Sequence, residues 1–545
     1  MRTLTVFSVR TLAAYLAAAG QFALAHRMLE WGVQTWPGQA DLWMAHGQIL
    51  LRWASGPKAG RATADLLDAA ADAYRHAEDL RPGLIEARRE RGLALLRLAW
   101  LAGRPGGTSP APALLRDAVA EYDRVLEAHP RRADVRHERA MARAALRPWV
   151  PAAEGPGLLE QALEDLDASV RLRPHAGEAI FHRAEVSTEL ARIYHARGRR
   201  QDELRLRLQG VADLGRVRRL RPDWSLPLLL QAVEDTALAR LGDAPRERLR
   251  SAIDNASTVL GTEPRNAQAA LVRADARLAA ACTFGTSGDQ RASLVWKQAE
   301  ADFQSAMAVV GLRNREEVLA GYAQAQAAWA EVLFRGGATA QAIELWHEAL
   351  EGMERAVDDD PQDRERLLTR AGILLALAER EEDGAADRRQ RALADAETVL
   401  ETDSGSAWAL ALRALARIDD DASTDSVLAD ARQARRGAPE DDRILAAERR
   451  VFLAAAQRAS GDRRAELLHA VLENCAAALA VRRDDATAHL DQARALHLAG
   501  RASAAYAALE QALRLAPTLR NEARSDPVWS DVRQGEGFRR LVGDE

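Results

Sequence analysis

The side chains able to do chemistry in this chain are few and scattered. Of its 12 histidines, His175 and His182 stand seven positions apart, but His175 follows Pro174 and belongs in a turn. His489 and His497 share one helix face, yet no Cys or third His lies nearby in sequence to complete a metal site. His347-Glu348 opens an HExxH pattern, and Glu351 stands where the second ligand is required. His137, between Arg136 and Glu138, is expected on a solvated or partner-facing helix surface. Cys282 and Cys475 form no paired motif, and each reads as a small buried residue. The runs Asp358-Asp359-Asp360 and Asp419-Asp420-Asp421 lack the alternating oxygen ligands of a calcium loop and are expected as loop charges. Gly56-Pro57-Lys58-Ala59-Gly60 lacks phosphate-loop spacing, and the sequence contains no GxGxxG, GxSxG or kinase motif set. The expectation is a protein without catalytic, metal or cofactor residues, hence not an enzyme.

The elements that carry these residues are therefore the more informative level. The 545 residues are 48% apolar and 28% charged, a globular balance. Aromatic residues make up 5%, which gives an all-β reading little support. A net charge of -5 argues against a mainly electrostatic nucleic-acid binder. The Arg-rich stretches Arg88-Arg89-Glu90-Arg91 and Arg131–Arg143 alternate with acids and lack interleaved aromatics, so intramolecular ion pairs are expected there. No uncharged apolar run approaches the ~18 residues of a membrane span. Leu12–Ala25 ends in Ala23-Leu24-Ala25, as a signal peptide would, but Gly20 and Gln21 interrupt it. A cytoplasmic protein is expected, with export as the alternative.

A repeat organises the chain. Near the C-terminus, Ala486–Leu519 places small Ala493 and large Leu496 in a first helix that Gly500 ends. Ala505, Leu509 and Ala512 mark the inner face of a second helix that Pro517 stops. Second helices end likewise before Pro37, Pro82, Pro130, Pro174, Pro222, Pro264, Pro361 and Pro439, with degenerate ends near Gly311, Ser404 and Asp484. Small-large-Gly, then Ala-large-Ala, then Pro, resembles the tetratricopeptide repeat (TPR), bacterial type. The resemblance implies an all-α fold: a right-handed α-α superhelical solenoid of about twelve helical hairpins. Most spacings run from 42 to 50 residues, as from Pro222 to Pro264, above the ~34 of that family. The excess lies in Pro/Gly connections such as Arg104–Pro112, Arg147–Gly157 and Gly285–Gly288, or in a longer first helix at Gly177–Arg200. Residues 1–519 are expected as one array, or as sub-arrays 1–264 and 265–519, with 520–545 as a cap. Trp529 and Phe538, in a segment similar to the ends of many bacterial TPR arrays, are expected to plug the last apolar face.

Six repeats carry a further signature. Arg precedes the small first-helix residue, and an acid precedes the large second-helix residue: Arg91 with Glu121, Arg139 with Asp165, Arg183 with Asp213, Arg273 with Asp302, Arg370 with Asp395 and Arg413 with Asp430. These are expected to pair across the hairpin and set its register. Because TPR arrays use the wall made by their first helices to hold peptides, the resemblance implies a partner-binding groove. Spacing puts Arg89, Leu93, Arg97, His137, Met141, Phe181, Glu185, Leu271 and Asp275 on it. The expected function is a protein–protein interaction scaffold or adaptor with a protein or peptide partner, without nucleic acid or membrane insertion. The alternative rests on similarity to TPR regions associated with bacterial serine/threonine kinases: a sensory or substrate-docking region of a signalling system whose catalytic domain is absent from these residues. A chaperone-tail carboxylate clamp is not expected, because none of Asn255, Asn266, Asn314, Asn474 and Asn521 falls at its first-helix positions.

Overall fold

The computed structural model describes residues 2–56, 62–103, 109–151, 153–284, 290–309, 315–419 and 424–543. Among them every regular element is a helix. The helices follow one another as hairpins: α1 (Arg2–Ala18) with α2 (Phe22–Thr35), α3 (Ala40–Ala54) with α4 (Thr63–Leu80), α5 (Ile85–Leu101) with α6 (Ala111–Ala128), and α7 (Ala133–Leu146) with α8 (Gly155–Leu172). The fifth is α9 (Gly177–Ala196) with α10 (Arg200–Leu220). Then come α11 (Leu226–Arg240) with α12 (Pro245–Thr262), α13 (Ala267–Phe284) with α14 (Gln290–Val309), and α15 (Arg315–Arg335) with α16 (Thr339–Asp359). The last four are α17 (Arg364–Ala378) with α18 (Ala385–Thr402), α19 (Ala407–Ala416) with α20 (Thr424–Gly437), α21 (Asp442–Arg458) with α22 (Gly461–Val481), and α23 (Ala486–Leu498) with α24 (Ala502–Leu515). Two short helices, α25 (Leu519–Ser525) and α26 (Glu536–Val542), follow. The fold is an all-α, TPR-like solenoid of stacked hairpins. The segments expected as loops at 57–60, 104–108, 285–288 and 420–421, and the helix end expected near Gly311, lie outside the described residues.

Local chemistry accounts for the boundaries. Ala-rich segments have high helix propensity, and they stop where proline removes a donor. Thus α4 ends two residues before Pro82, α8 two before Pro174 and α24 two before Pro517. Gly500 closes α23 in the left-handed region at φ 75°, and Arg501 N–H reaches back to Leu496 O at 2.9 Å. Asp363, Asp441 and Asp485 cap α17, α21 and α23 by accepting the first free backbone N–H groups.

Packing follows size complementarity between the two helices of a hairpin. Gly92 in α5 faces the ring of Tyr122 in α6, and a Cβ there would lie 2.8 Å from the ring. Gly47 and Tyr74 repeat the arrangement one hairpin earlier, at 2.7 Å. Where the small residue is Ala140 or Ala184, the large one is Leu166 or Leu214, and all four are fully buried. Close approach of small residues lets many modest contacts replace one large core.

The chain divides into two compact units, Met1–Leu190 with Ala212–Pro222, and Ala191–Val211 with Asp223–Glu545. The division runs through the fifth hairpin, upstream of residue 264. Within the first unit α3 touches α5 and α5 touches α7; within the second α15 touches α17, α17 touches α19, α19 touches α21 and α21 touches α23. First helices therefore build a continuous wall inside each unit. At the C-terminal end Trp529 and Phe538, both fully buried, pack against Leu490, Leu509 and Leu513, their rings 5.4 Å apart. Leu12–Ala25 spans the end of α1 and the start of α2, with Ala13, Ala17 and Ala25 buried in the hairpin core. Among the described residues no helix is long and apolar enough to cross a membrane.

Candidate partner-binding site

The six Arg–acid pairs close in the structure. Arg91 Nη1 donates to Glu121 at 2.8 Å. In the other five, Nε and Nη2 grip the two carboxylate oxygens together: Arg139 on Asp165 at 2.8 and 2.5 Å, Arg183 on Asp213 at 2.7 and 2.6 Å. Arg273 holds Asp302 at 3.0 and 2.6 Å, Arg370 holds Asp395 at 2.9 and 2.6 Å, and Arg413 holds Asp430 at 2.8 and 2.7 Å. All six acids are buried. Burial pushes the Arg183 guanidinium down, and its bonds to Asp213 and Asp167 more than offset this, so its pKa is raised. Arg139 also reaches Asp123 and Arg183 also reaches Asp167, each on the second helix of the preceding hairpin. One guanidinium thus ties its own hairpin and joins it to its neighbour, a structural rather than catalytic arrangement.

Among the hairpins without this pair, two place other polar residues in its slots. In the eleventh hairpin Glu448 occupies the arginine position and accepts from Asn474 at 2.5 Å, an exchanged pair. In the second, His46 occupies it and contacts His26 at 2.9 Å. Both sit at the repeat spacing, which was the signal available in the sequence.

The residues expected on the groove are unequally placed. In the first unit Arg89 is bound to Glu138 at 2.5 and 3.1 Å, and Arg97 donates to Ser55 at 2.5 Å. Leu93 and Met141 are half-buried against the core. Phe181 is only 5% exposed and offers almost no groove surface; its ring lies 5.9 Å from that of His182. His137, expected on a solvated face, instead contacts His182 at 2.6 Å. Burial lowers both imidazoles, His182 to about 4 with the His137 charge as a second cause, and burial raises Glu185 to about 7. These perturbed groups do not converge: a shallow cleft of about 360 Å³ takes in Asp134, His137, His175 and Glu178 but neither His182 nor Glu185. In the second unit Leu271 is packed against the core and Asp275 is bound by Arg240 at 2.6 Å. Cys475 is fully buried; Cys282, in the last turn of α13, is only half covered. Burial pushes the Cys282 thiol up to about 11, which leaves it protonated and a poor nucleophile. Among the described residues no cluster of three or more metal-ligating side chains forms.

The open recess lies elsewhere, on the first-helix wall of the second unit. A cleft of about 600 Å³ runs across α15, α17, α19 and α21, with the start of α23 at its edge. Its accessible apolar lining comes from Ala328, Leu368, Ala376, Trp408 and Ala446. Its rim carries Arg335, Arg380, Arg443, Arg450 and Arg482 together with Glu331, Glu379, Asp442 and Asp485. Arg380 lies flat on Phe334 and Trp346, 4.0 and 4.5 Å from the ring centroids, and Arg443 lies 5.0 Å from Trp408. None of these residues is among those that first-helix spacing puts on the groove. First-helix spacing pointed to the wall in every repeat, but only the packing of successive hairpins leaves it open here.

No family model matches the chain, and no curated protein matches it. Among solved structures it is similar to yeast Tom70 at 10% identity, covering 98% of this chain and 100% of that one, with a TM-score of 0.38. It is similar to TTC0263, a thermophilic TPR protein of Thermus thermophilus, at 20% identity, covering 43% of this chain and 99% of that one, with a TM-score of 0.29. A third is YrrB, described as a TPR protein with an unusual peptide-binding site, at 14% identity, covering 40% and 88%, with a TM-score of 0.28.

Proposed function

We propose that this chain is a non-catalytic interaction scaffold that holds an extended peptide, or a loop of a partner protein, in the cleft across α15, α17, α19 and α21. The cleft itself carries the reading: about 600 Å³ of open space with an apolar lining and a charged rim, on four adjacent helix faces. Recesses of this size and composition suit a short chain segment, whose apolar side chains are buried while the rim orients it. The helices satisfy their own backbone groups, so recognition falls to side chains.

A random-peptide phage library panned against the full chain tests this. Clones should emerge that lose binding when Ala328→Trp fills the cleft and keep it when Asp254→Arg alters a side chain that is 72% exposed on α12. Failure to enrich any clone, or clones indifferent to Ala328→Trp, would refute the reading.

A further inference from the structure

The two ends of the array are finished differently. At the C-terminal end Trp529 and Phe538 cover the last hairpin. At the other end no described hairpin precedes α1, and an apolar face stays open. Phe7, Leu12 and Tyr15 on α1 and Leu24 and Trp31 on α2 are 49–72% exposed. Among the described residues no other stretch of that length holds as many exposed large apolar side chains. Spacing sets Leu12 and Tyr15 on the side of α1 opposite the buried Ala13. It sets Leu24 and Trp31 on the side of α2 opposite His26, which meets α3 at His46. Stacking proceeds from α2 toward α3, so this is the side on which later hairpins carry their predecessor. From Ser8 to Ala19 the one charged residue is Arg10, and it lies at the border, 5.7 Å from the Phe7 ring centroid. Arg27 and Glu30 flank the α2 part.

The ion-pair slots indicate what covers this face. In later hairpins the slot before the small first-helix residue holds an arginine that also reaches back to the preceding hairpin, as Arg139 reaches Asp123 and Arg183 reaches Asp167. In the first hairpin that slot is Leu12, ahead of Ala13, and the acid slot is Met28, ahead of Leu29. A charged joint is replaced by an apolar one. A charged surface pressed onto it would lose its hydration and gain no counter-ion, so the face calls for an apolar counterpart. Its extent is on the order of 500 Å² of apolar surface, counting roughly 100 Å² for each half-exposed side chain. A protein–protein interface of standard size takes about 800 Å² from each partner, a little over half of it non-polar. The face therefore matches one side of a stable complex.

We propose that this face joins two copies of the chain, α1–α2 against α1–α2 about a two-fold axis. A second copy brings an apolar surface of the same extent, and a two-fold contact repeats each pairing in both directions and closes at two chains. Head-to-tail stacking is blocked, because Trp529 and Phe538 already cover the opposite end. A lipid surface suits the face less well: interfacial helices border their apolar side with several Lys or Arg, and between Ser8 and Ala19 only Arg10 does so. The contact lies in the first unit and does not rest on the peptide-binding reading.

Sedimentation velocity of the full chain tests this. A species of twice the 59.5 kDa of one chain should dominate at micromolar concentration and should not grow as concentration rises. Leu12→Glu/Tyr15→Glu on α1 and, independently, Trp31→Glu on α2 should each weaken the dimer at least about a hundredfold, because each places an unpaired carboxylate in the contact. Leu294→Glu, on an exposed leucine of α14, should leave it intact. All four side chains are exposed in the single chain, so far-UV circular dichroism should not change, and a fully helical monomer separates lost association from lost folding. A monomer at every concentration up to roughly 100 µM overturns the proposal, since interfaces of this size bind at micromolar concentration or below. A dimer indifferent to the α1 and α2 variants overturns it too, as does growth beyond two chains, which marks stacking on another surface. Flotation of a monomeric chain with phosphatidylglycerol vesicles, lost in Leu12→Glu/Tyr15→Glu, overturns it in favour of a lipid surface.

Discussion

Replacing Gly92 by Ala should destabilise the third hairpin although it puts a better helix former into α5. The added Cβ would lie 2.8 Å from Tyr122 Cε1 and 2.9 Å from Cζ, and Tyr122 is fully buried, so its ring has no free side to move toward. Overpacking of this kind costs ~1–3 kcal/mol. Gly to Ala in a helix interior returns at most ~1 kcal/mol. The net expectation is a loss of up to about 2 kcal/mol. Tyr122→Leu alone should also destabilise, by roughly 1–3 kcal/mol, because it leaves a void opposite Gly92. The loss is tempered because the Tyr122 hydroxyl is buried without a partner. Together the two substitutions recreate the Ala140–Leu166 combination of the next hairpin, so the double variant should be more stable than either single one. The coupling should reach at least ~1 kcal/mol. A repeat array need not unfold in one step, so the assay is native-state hydrogen exchange of the α5 and α6 amides in the full chain. Each ~1.4 kcal/mol lost locally should speed exchange about tenfold. Unchanged or slower exchange in Gly92→Ala, or strictly additive effects in the double variant, would refute the size-complementarity argument.

Three further outcomes follow from the same structure. Arg183→Met leaves Asp213 buried with only the 3.6 Å contact to Arg216 and should cost up to ~3–5 kcal/mol, measured by exchange in α9 and α10; adding Asp213→Leu should recover most of it, and no recovery would show that the pair is not the cause. His46 and His182 are lowered from 6.5 to about 4 by burial first and the partner imidazole second. Unfolded imidazoles take up protons near 6.5 while the folded ones resist until about 4, so stability is full above that window and declines as pH falls through it. The decline should be on the order of 3 kcal/mol per histidine, and a thermal midpoint equally steep in acid for His46→Leu/His182→Leu counts against this assignment. Ending the chain after Leu519 removes Trp529 and Phe538 and bares the face formed by Leu490, Leu509 and Leu513; exchange in α23 and α24 should accelerate and light scattering should rise, and indifference of both would show that the segment is no cap.

Much of the architecture was legible in residue order because the rules that set it are local. Helix periodicity, Gly500 in its left-handed turn and proline two residues past α4, α8 and α24 act within a few positions of one another, so hairpins could be counted along the chain. The Arg–acid register was legible for a related reason: the same two positions recur in six hairpins, and each pair joins two helices consecutive in the chain. The groove was not. Spacing puts Arg89 on the groove, but Glu138, 49 positions away, lies against it; His137, expected on a solvated or partner-facing surface, meets His182 in the same way. Whether a first-helix residue is open depends on the side chains that the neighbouring hairpins bring to it, and no local pattern records those. The cleft across α15, α17, α19 and α21 is lined by small residues such as Ala328 and Ala376, and at its rim Arg335, Arg380 and Arg450 come together with Glu331 and Glu379 from different hairpins. The order of residues determined which helices form and how each pairs with its hairpin mate. Stacking decided which first-helix side chains stay open, because their neighbours come from other hairpins and not from their own.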